Sequence, residues 1–123
     1  MIVPEALRNA GASIELHKDH FAHDEKDTVW LEECGRRGWV VLTKDRNIRY
    51  NLVERQALLD SGVAAFVLTS GQLTGIEMAH AYVKALPKIA SLLVKQSLPF
   101  IARVHKDGRV EMWIDSRGEV ISN

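Results

Sequence analysis

The sequence predicts an α/β fold in three layers, a mostly parallel sheet between helices with an antiparallel hairpin at the C-terminal end. Three observations carry this prediction. Segments of helical periodicity alternate with short apolar runs along the first hundred residues, the pattern of strands buried on both faces and joined by crossover helices. The runs WVVLT (39–43) and AAFVLT (64–69) hold no polar residue until their last position, and turn residues bound both. The tail FIARVHKDGRVEMWI sets Asp-Gly between two strand-like segments, a hairpin signal.

Each element has its own start and stop. Pro4 suits a first helical turn, and Glu5 to Ala10 continue it to Gly11. Ala12 to Leu16 alternate as a strand does, and a polar stretch, HKDHFAHDEKD, follows. Asp27 at its end is a good N-cap for a helix carrying Val29, Trp30, Leu31 and Cys34, which stops near Gly35 to Gly38. Trp39 to Thr43 is the next strand. Ile48, Leu52, Ala57, Leu58 and Leu59 predict a helix closed by Ser61-Gly62, and Ala64 to Thr69 a strand that ends at Ser70-Gly71. Thr74 caps an amphipathic helix from Ile76 to about Lys95, which Pro87 either kinks or divides. Phe100 to His105 and Arg109 to Ile114 then flank the Lys106-Asp107-Gly108 turn.

At 123 residues the chain suits one domain spanning 1–123, with enough length to bury a substantial core. Apolar residues at 46% and charged residues at 26% exclude long disorder. Sixteen basic residues balance sixteen acidic ones, so contact with a polyanion must rest on local clusters of cations. Such clusters occur at Arg36-Arg37 and across Lys44, Arg46, Arg49 and Arg55. One cysteine, Cys34, permits no internal disulfide and reads as a buried thiol in a reducing, cytoplasmic location. No apolar run reaches the ~20 residues that span a bilayer, and the N-terminus has no secretory pattern.

In open parallel sheets, ligands bind beyond the carboxyl ends of the strands. Two strand ends are explicit here, Thr43-Lys44-Asp45 and Thr69-Ser70-Gly71. Asp27 opens the helix that feeds the first of these strands, so its carboxylate and that of Asp45 can converge on one edge. Two carboxylates in one crevice repel, and a divalent cation resolves the repulsion. An oxygen-only set favours Mg²⁺ or Mn²⁺ over zinc. Such an ion activates water and steadies the charge on a phosphodiester under attack. Either acid also has the plain role of a helix cap. Lys44, Arg46 and Arg49, with Asn47 beside them, follow the proposed acidic centre where a nucleic-acid backbone needs neutralising. His17, His20 and His23 match no zinc motif and read as surface histidines, His80 and His105 as structural ones. Trp30, Trp39, Phe66 and Leu68 read as core. Glycine-rich phosphate loops and nucleophile elbows do not occur.

The stretches DTVWLEECGRRGWVVLTKDRNIRYN, FVLTSGQLTG and FIARVHKDGRVEMW resemble the PIN-like domains related to VapC-type toxins, and the likeness covers most of the chain. Its most specific element is the strand-terminal LTKD. The resemblance implies a PIN-like fold and a Mg²⁺- or Mn²⁺-dependent endoribonuclease, the toxin of a toxin–antitoxin pair, with RNA as substrate and a protein antitoxin as partner; a homodimer is a way to cover the gap in the sheet where the first strand is missing. By that match Asp45 is the acid after the central strand and Asp27 the acid opening the preceding helix, both metal ligands and catalytic. Ser70 and Gln72 stand where members carry a further acid, and are read as substrate contacts. PIN-like chains begin with a strand bearing an aspartate and then the first helix, whereas this chain begins at that helix, so against the resemblance the first strand and its metal-binding acid are missing. The competing expectation is a PIN-like module that binds RNA or a protein without cutting. A small-molecule phosphodiesterase on the same crevice is a third.

Overall fold

A computed structural model describes residues 27–43, 52–69 and 73–121. Helix α1 runs Asp27–Arg37, strand β1 Val41–Thr43, helix α2 Leu52–Asp60 and strand β2 Ala64–Leu68. Helix α3 follows over Gly75–Lys95, then strands β3 Phe100–Val104 and β4 Val110–Ile114. The expected opening helix and the strand at Ala12 to Leu16 lie outside the described residues.

The strands form one sheet in the order β1-β2-β3-β4. Val41 pairs with Ala65 and Thr43 with Val67, then Ala64 with Phe100 and Leu68 with Val104, all in parallel. β4 returns antiparallel along β3. The hairpin therefore extends the edge of the parallel sheet, as its sequence predicts. The mixed sheet with helices against it bears out the α/β class.

Alternation along β2 and β3 sends side chains to two separate cores. Ala64, Phe66 and Leu68 meet Phe100, Ala102 and Val104 beneath Ala81, Tyr82, Ala85, Ile89 and Leu92 of α3. Phe66 and Phe100 pack edge to face there, with ring centroids 5.6 Å apart. Ala65, Val67 and Ile101 face the other way, against Leu31 and Cys34 of α1 and Leu58 of α2. Trp30 and Trp39 pack on the margin of this second core. The steps from β1 to β2 and from β2 to β3 go in the same direction across parallel strands, yet α2 and α3 lie on opposite faces. The two crossovers thus have opposite hands, and one departs from the usual right-handed turn. Uniform handedness would put both helices on one face; opposite hands give the sheet a helical layer on each side.

Local chemistry explains the boundaries. Gly38, at φ 73°, supplies the left-handed residue after α1. Thr74 caps α3: its hydroxyl accepts from the Glu77 amide, and the Glu77 carboxylate accepts from the Thr74 amide. Pro87 leaves α3 continuous from Gly75 to Lys95. The proline is exposed while Ala85, Ile89 and Leu92 are buried, so the hydrogen bond it removes lies toward water and packing on the opposite side holds the helix together.

Two features went beyond the sequence reading. The register passes from Ala102↔Met112 to Ile101↔Ile114, so Trp113 is an extra residue in β4. This bulge lets Trp113 and Ile114 both enter the core under α1 and α2. After β4, Asp115 accepts the amides of Arg117 and Glu119, Gly118 adopts φ 81°, and the chain returns to bridge Ile114 with Val120. A second tight turn thus follows the expected one.

Candidate active site at the carboxyl edge of the sheet

β1, β2 and β3 end together, because Thr43 is level with Val67 and Leu68 with Val104. Thr69 continues past β2 and donates its amide to the Val104 carbonyl at 3.1 Å. The β3–β4 turn rises from the same edge. There the His105 amide donates to Arg109 and the Gly108 amide to His105, and Gly108 sits at φ 88°. α3 also begins here, and Lys106 of the turn reaches its first-turn Glu77 at 3.0 Å. The Thr74 amide, and then Lys106, hold the Glu77 carboxyl below its ordinary range.

α1 joins the edge from the other face. Its last turn connects to β1 through Gly38 to Val40, with the Trp39 amide donating to Cys34, so helix and strand run in opposite directions. Eleven helical residues at ~1.5 Å each return the start of α1, Asp27, toward the end where β1 stops. Asp45 follows Thr43 by two residues and is within ~7 Å of it by covalent reach. Asp45, Lys44, Arg46, Asn47, Arg49, Ser70 and Gln72 lie outside the described residues, as does the side chain of Asp27. The described residues place the end of β1 beside the end of β2; the start of α1 is the described element that carries Asp27. Among them, no cluster of three His, Cys, Asp or Glu side chains forms a metal site. An oxygen donor set of Asp27 and Asp45 would suit Mg²⁺ or Mn²⁺ by its chemistry.

One residue at this edge escaped the sequence reading. Tyr82, on the buried face of α3, donates its hydroxyl to the Thr43 carbonyl at 2.9 Å, across 39 residues of sequence. Burial pushes its phenol well above the ordinary value, so it stays a neutral donor. In the sequence it reads as one more large residue on an amphipathic helix, and no local signal marks its partner.

Several expected cations are engaged elsewhere. Arg36 and Arg37 both bind the Glu33 carboxylate within α1, and the Arg37 guanidinium also stands 4.7 Å from the Trp39 ring centroid. Hydrogen bonds from Arg36 and Arg37 pull the Glu33 carboxyl down. Arg55 lies over one ring of Trp113 at 5.4 Å and Arg103 at 4.7 Å. Arg55 is thus directed to an aromatic ring of the second core rather than out toward a backbone. Arg103 is buried within β3 and pairs with Glu111 at 3.5 Å. His105, Lys106, Asp107 and Arg109 line a shallow cavity of about 480 Å³ on the hairpin. His80 is exposed, and His105 is half-buried with Nε2 3.8 Å from Glu111. No helix among the described residues is long and apolar enough to cross a membrane.

Comparison with known proteins adds an independent line. A family model described as "PIN like domain" matches residues 2–70, more than half of the chain. A Mycobacterium tuberculosis protein named "Putative ribonuclease VapC45" is 32% identical over 107 residues, covering 84% of this chain and 77% of that protein. No solved structure gives a significant match.

Proposed function

This chain belongs to the PIN-like domain family, and from that premise we propose that it is a metal-dependent endoribonuclease, the toxin of a toxin–antitoxin pair. The reading is supported by the short connection from α1 into β1, which stops at Thr43 two residues before Asp45, beside the family match. The relative named as a ribonuclease supports the same chemistry.

In this reading Asp45 and Asp27 hold Mg²⁺ or Mn²⁺, which supplies an activated water and charge stabilisation at the phosphodiester. The chain's own residues bind and orient the substrate. Lys44, Arg46 and Arg49 neutralise RNA phosphates on either side of the scissile bond, and Asn47, Ser70 and Gln72 add neutral hydrogen bonds that fix the backbone's register. A protein antitoxin would act by covering this edge, and a second copy of the chain is the expected partner in a homodimer. The chain works as one domain in the cytoplasm, where Cys34 stays reduced.

The test is cleavage of a labelled single-stranded RNA by the wild-type chain and by Asp45→Asn, with Mn²⁺, with Mg²⁺ and with EDTA. Cleavage should need the metal and fall by at least ~10²-fold in the variant. Cleavage that survives both EDTA and the substitution overturns the proposal. Tight RNA binding without any cleavage would point instead to a binding module.

A further inference from the structure

We propose that Lys84 and Arg109 form a phosphate-binding site for the RNA backbone, built where the β3–β4 turn closes on α3. This inference rests on the ribonuclease reading above for its ligand; every residue of the site itself lies in α3 or the turn.

β3 ends at Val104, whose carbonyl accepts the Thr69 amide from the end of β2. The turn that follows therefore starts at the carboxyl edge of the sheet, where open parallel sheets bind their ligands. Gly108 brings this turn onto α3. A Cβ there would lie well inside contact with Lys84 Cβ and 3.4 Å from Lys84 Cδ. The stem of Lys84 thus runs across the turn while the residue stays exposed, its ammonium in water. Arg109, the next residue after Gly108, is exposed as well and lines the shallow cavity with His105, Lys106 and Asp107. Neighbouring cations are engaged: Lys106 pairs with Glu77, Arg103 with Glu111, and Arg117 with Asp115 and Glu119. Lys84 and Arg109 have no ion pair or ring contact among the described residues. Asp107 is turned to the backbone, accepting the Arg109 amide at 3.0 Å. Two cations against its single charge leave the turn positive, and Lys88, exposed one turn further along α3, extends that potential. His105 lines the same cavity, and its Nε2 has no hydrogen-bond partner, with the Glu111 carboxylate 3.8 Å away. Nitrogens shielded from water are normally paired, so this one leaves a place for an acceptor oxygen in the cavity wall. Two strong donors on exposed side chains beside an open cavity suit a phosphodiester, one charge in a chain that crosses the site.

The test is fluorescence-anisotropy binding of a labelled single-stranded RNA to the full chain across a salt series, in EDTA so that neither metal nor cleavage enters the readout. Lys84→Met removes the charge and keeps the stem that packs on Gly108. Arg109→Gln leaves the backbone bonds of the turn in place. Each should weaken binding about fivefold in ~0.1 M salt and reduce the slope of log K against log [salt] by about 0.7, the share of one phosphate contact on a single strand. The double variant should lose about 25-fold, whereas Arg109→Lys, which keeps the charge, should bind within about twofold of wild type. Arg117→Gln removes the same charge from the next turn, where Arg117 is held by Asp115 and Glu119, and should bind as wild type does. Wild-type affinity in the folded double variant overturns the proposal and points to an acidic protein partner for these cations; an equal loss in Arg117→Gln also overturns it. Loss of binding in the variants of a wild type that never cleaves leaves the site standing and removes the enzyme. Metal-dependent cleavage with unchanged affinity in the variants does the reverse, and a wild type that binds no RNA removes both. Should a variant fail to fold by circular dichroism, RNA titration of the isotope-labelled wild type decides. The Gly108 and Arg109 amides should shift along the saturation curve, and their invariance overturns the site.

Discussion

Gly35→Ala separates two opposing effects whose sizes can be compared. Within a helix, alanine is favoured over glycine by about 1 kcal/mol, so secondary structure alone predicts a more stable protein. Tertiary contact predicts the reverse. A Cβ at Gly35 would meet the Ser61 carbonyl oxygen well inside 3.0 Å, with the Ser61 carbonyl carbon at 3.1 Å. Those atoms are backbone at the turn that closes α2, where the Ser61 and Gly62 amides already donate to Ala57 and Leu59. They cannot swing aside as a side-chain end could. α1 would have to lift off α2 by on the order of an ångström, a displacement of the kind that costs about 1–3 kcal/mol in packed cores. The clash offsets or outweighs the helical gain, and the net change is a destabilisation of up to about 2 kcal/mol. Urea unfolding should show a lower midpoint at an unchanged slope, with the thermal midpoint down by roughly 4 °C per kcal/mol. A variant more stable than wild type refutes the close approach of α1 to the Ser61–Gly62 turn.

Two further outcomes test separate parts of the structure. The Asp107 and Asp115 carboxylates accept backbone amides, from Arg109 and Glu119 first, and both are held below their ordinary value of 3.8. A folded pKa below the unfolded one contributes stability above pH 3.8 that is lost as pH falls through the folded value. Asp115→Ala should therefore unfold more easily than wild type at pH 7. Denaturant midpoints measured across pH should show the gap closing in acid, and a constant gap refutes the assignment. Burial, the first cause, raises the Cys34 thiol, so it should react with an aromatic disulfide reagent only when urea unfolds the chain; fast labelling of the native protein would refute its burial.

The sequence by itself determined the order of elements from Asp27 onward, and for local reasons. Thr74 with Glu77 makes a capping box wherever it precedes a helix, and Gly108 supplies the positive φ its turn needs. WVVLT and AAFVLT are too short and too apolar to be anything but strands in a covered sheet. The same local logic marks Asp115 and Gly118 as a second turn, a signal present but not drawn on. The end of a strand at Thr43 was legible from WVVLTK, because the boundary between an apolar run and a polar one is itself local. Tertiary structure alone decided which face each helix covers, since both crossovers read alike in sequence and take opposite hands in the fold. It decided that Pro87 is tolerated, because burial on the far side of α3 outweighs one lost bond. It also decided where cations go: Arg36, Arg37, Arg55 and Arg103 carry the same charge in the sequence, and their nearest carboxylates and rings set their roles. Tyr82 marks the boundary most clearly. Its hydroxyl has no partner within its own helix and finds one 39 residues away, a pairing that exists only once the sheet and α3 have closed on each other.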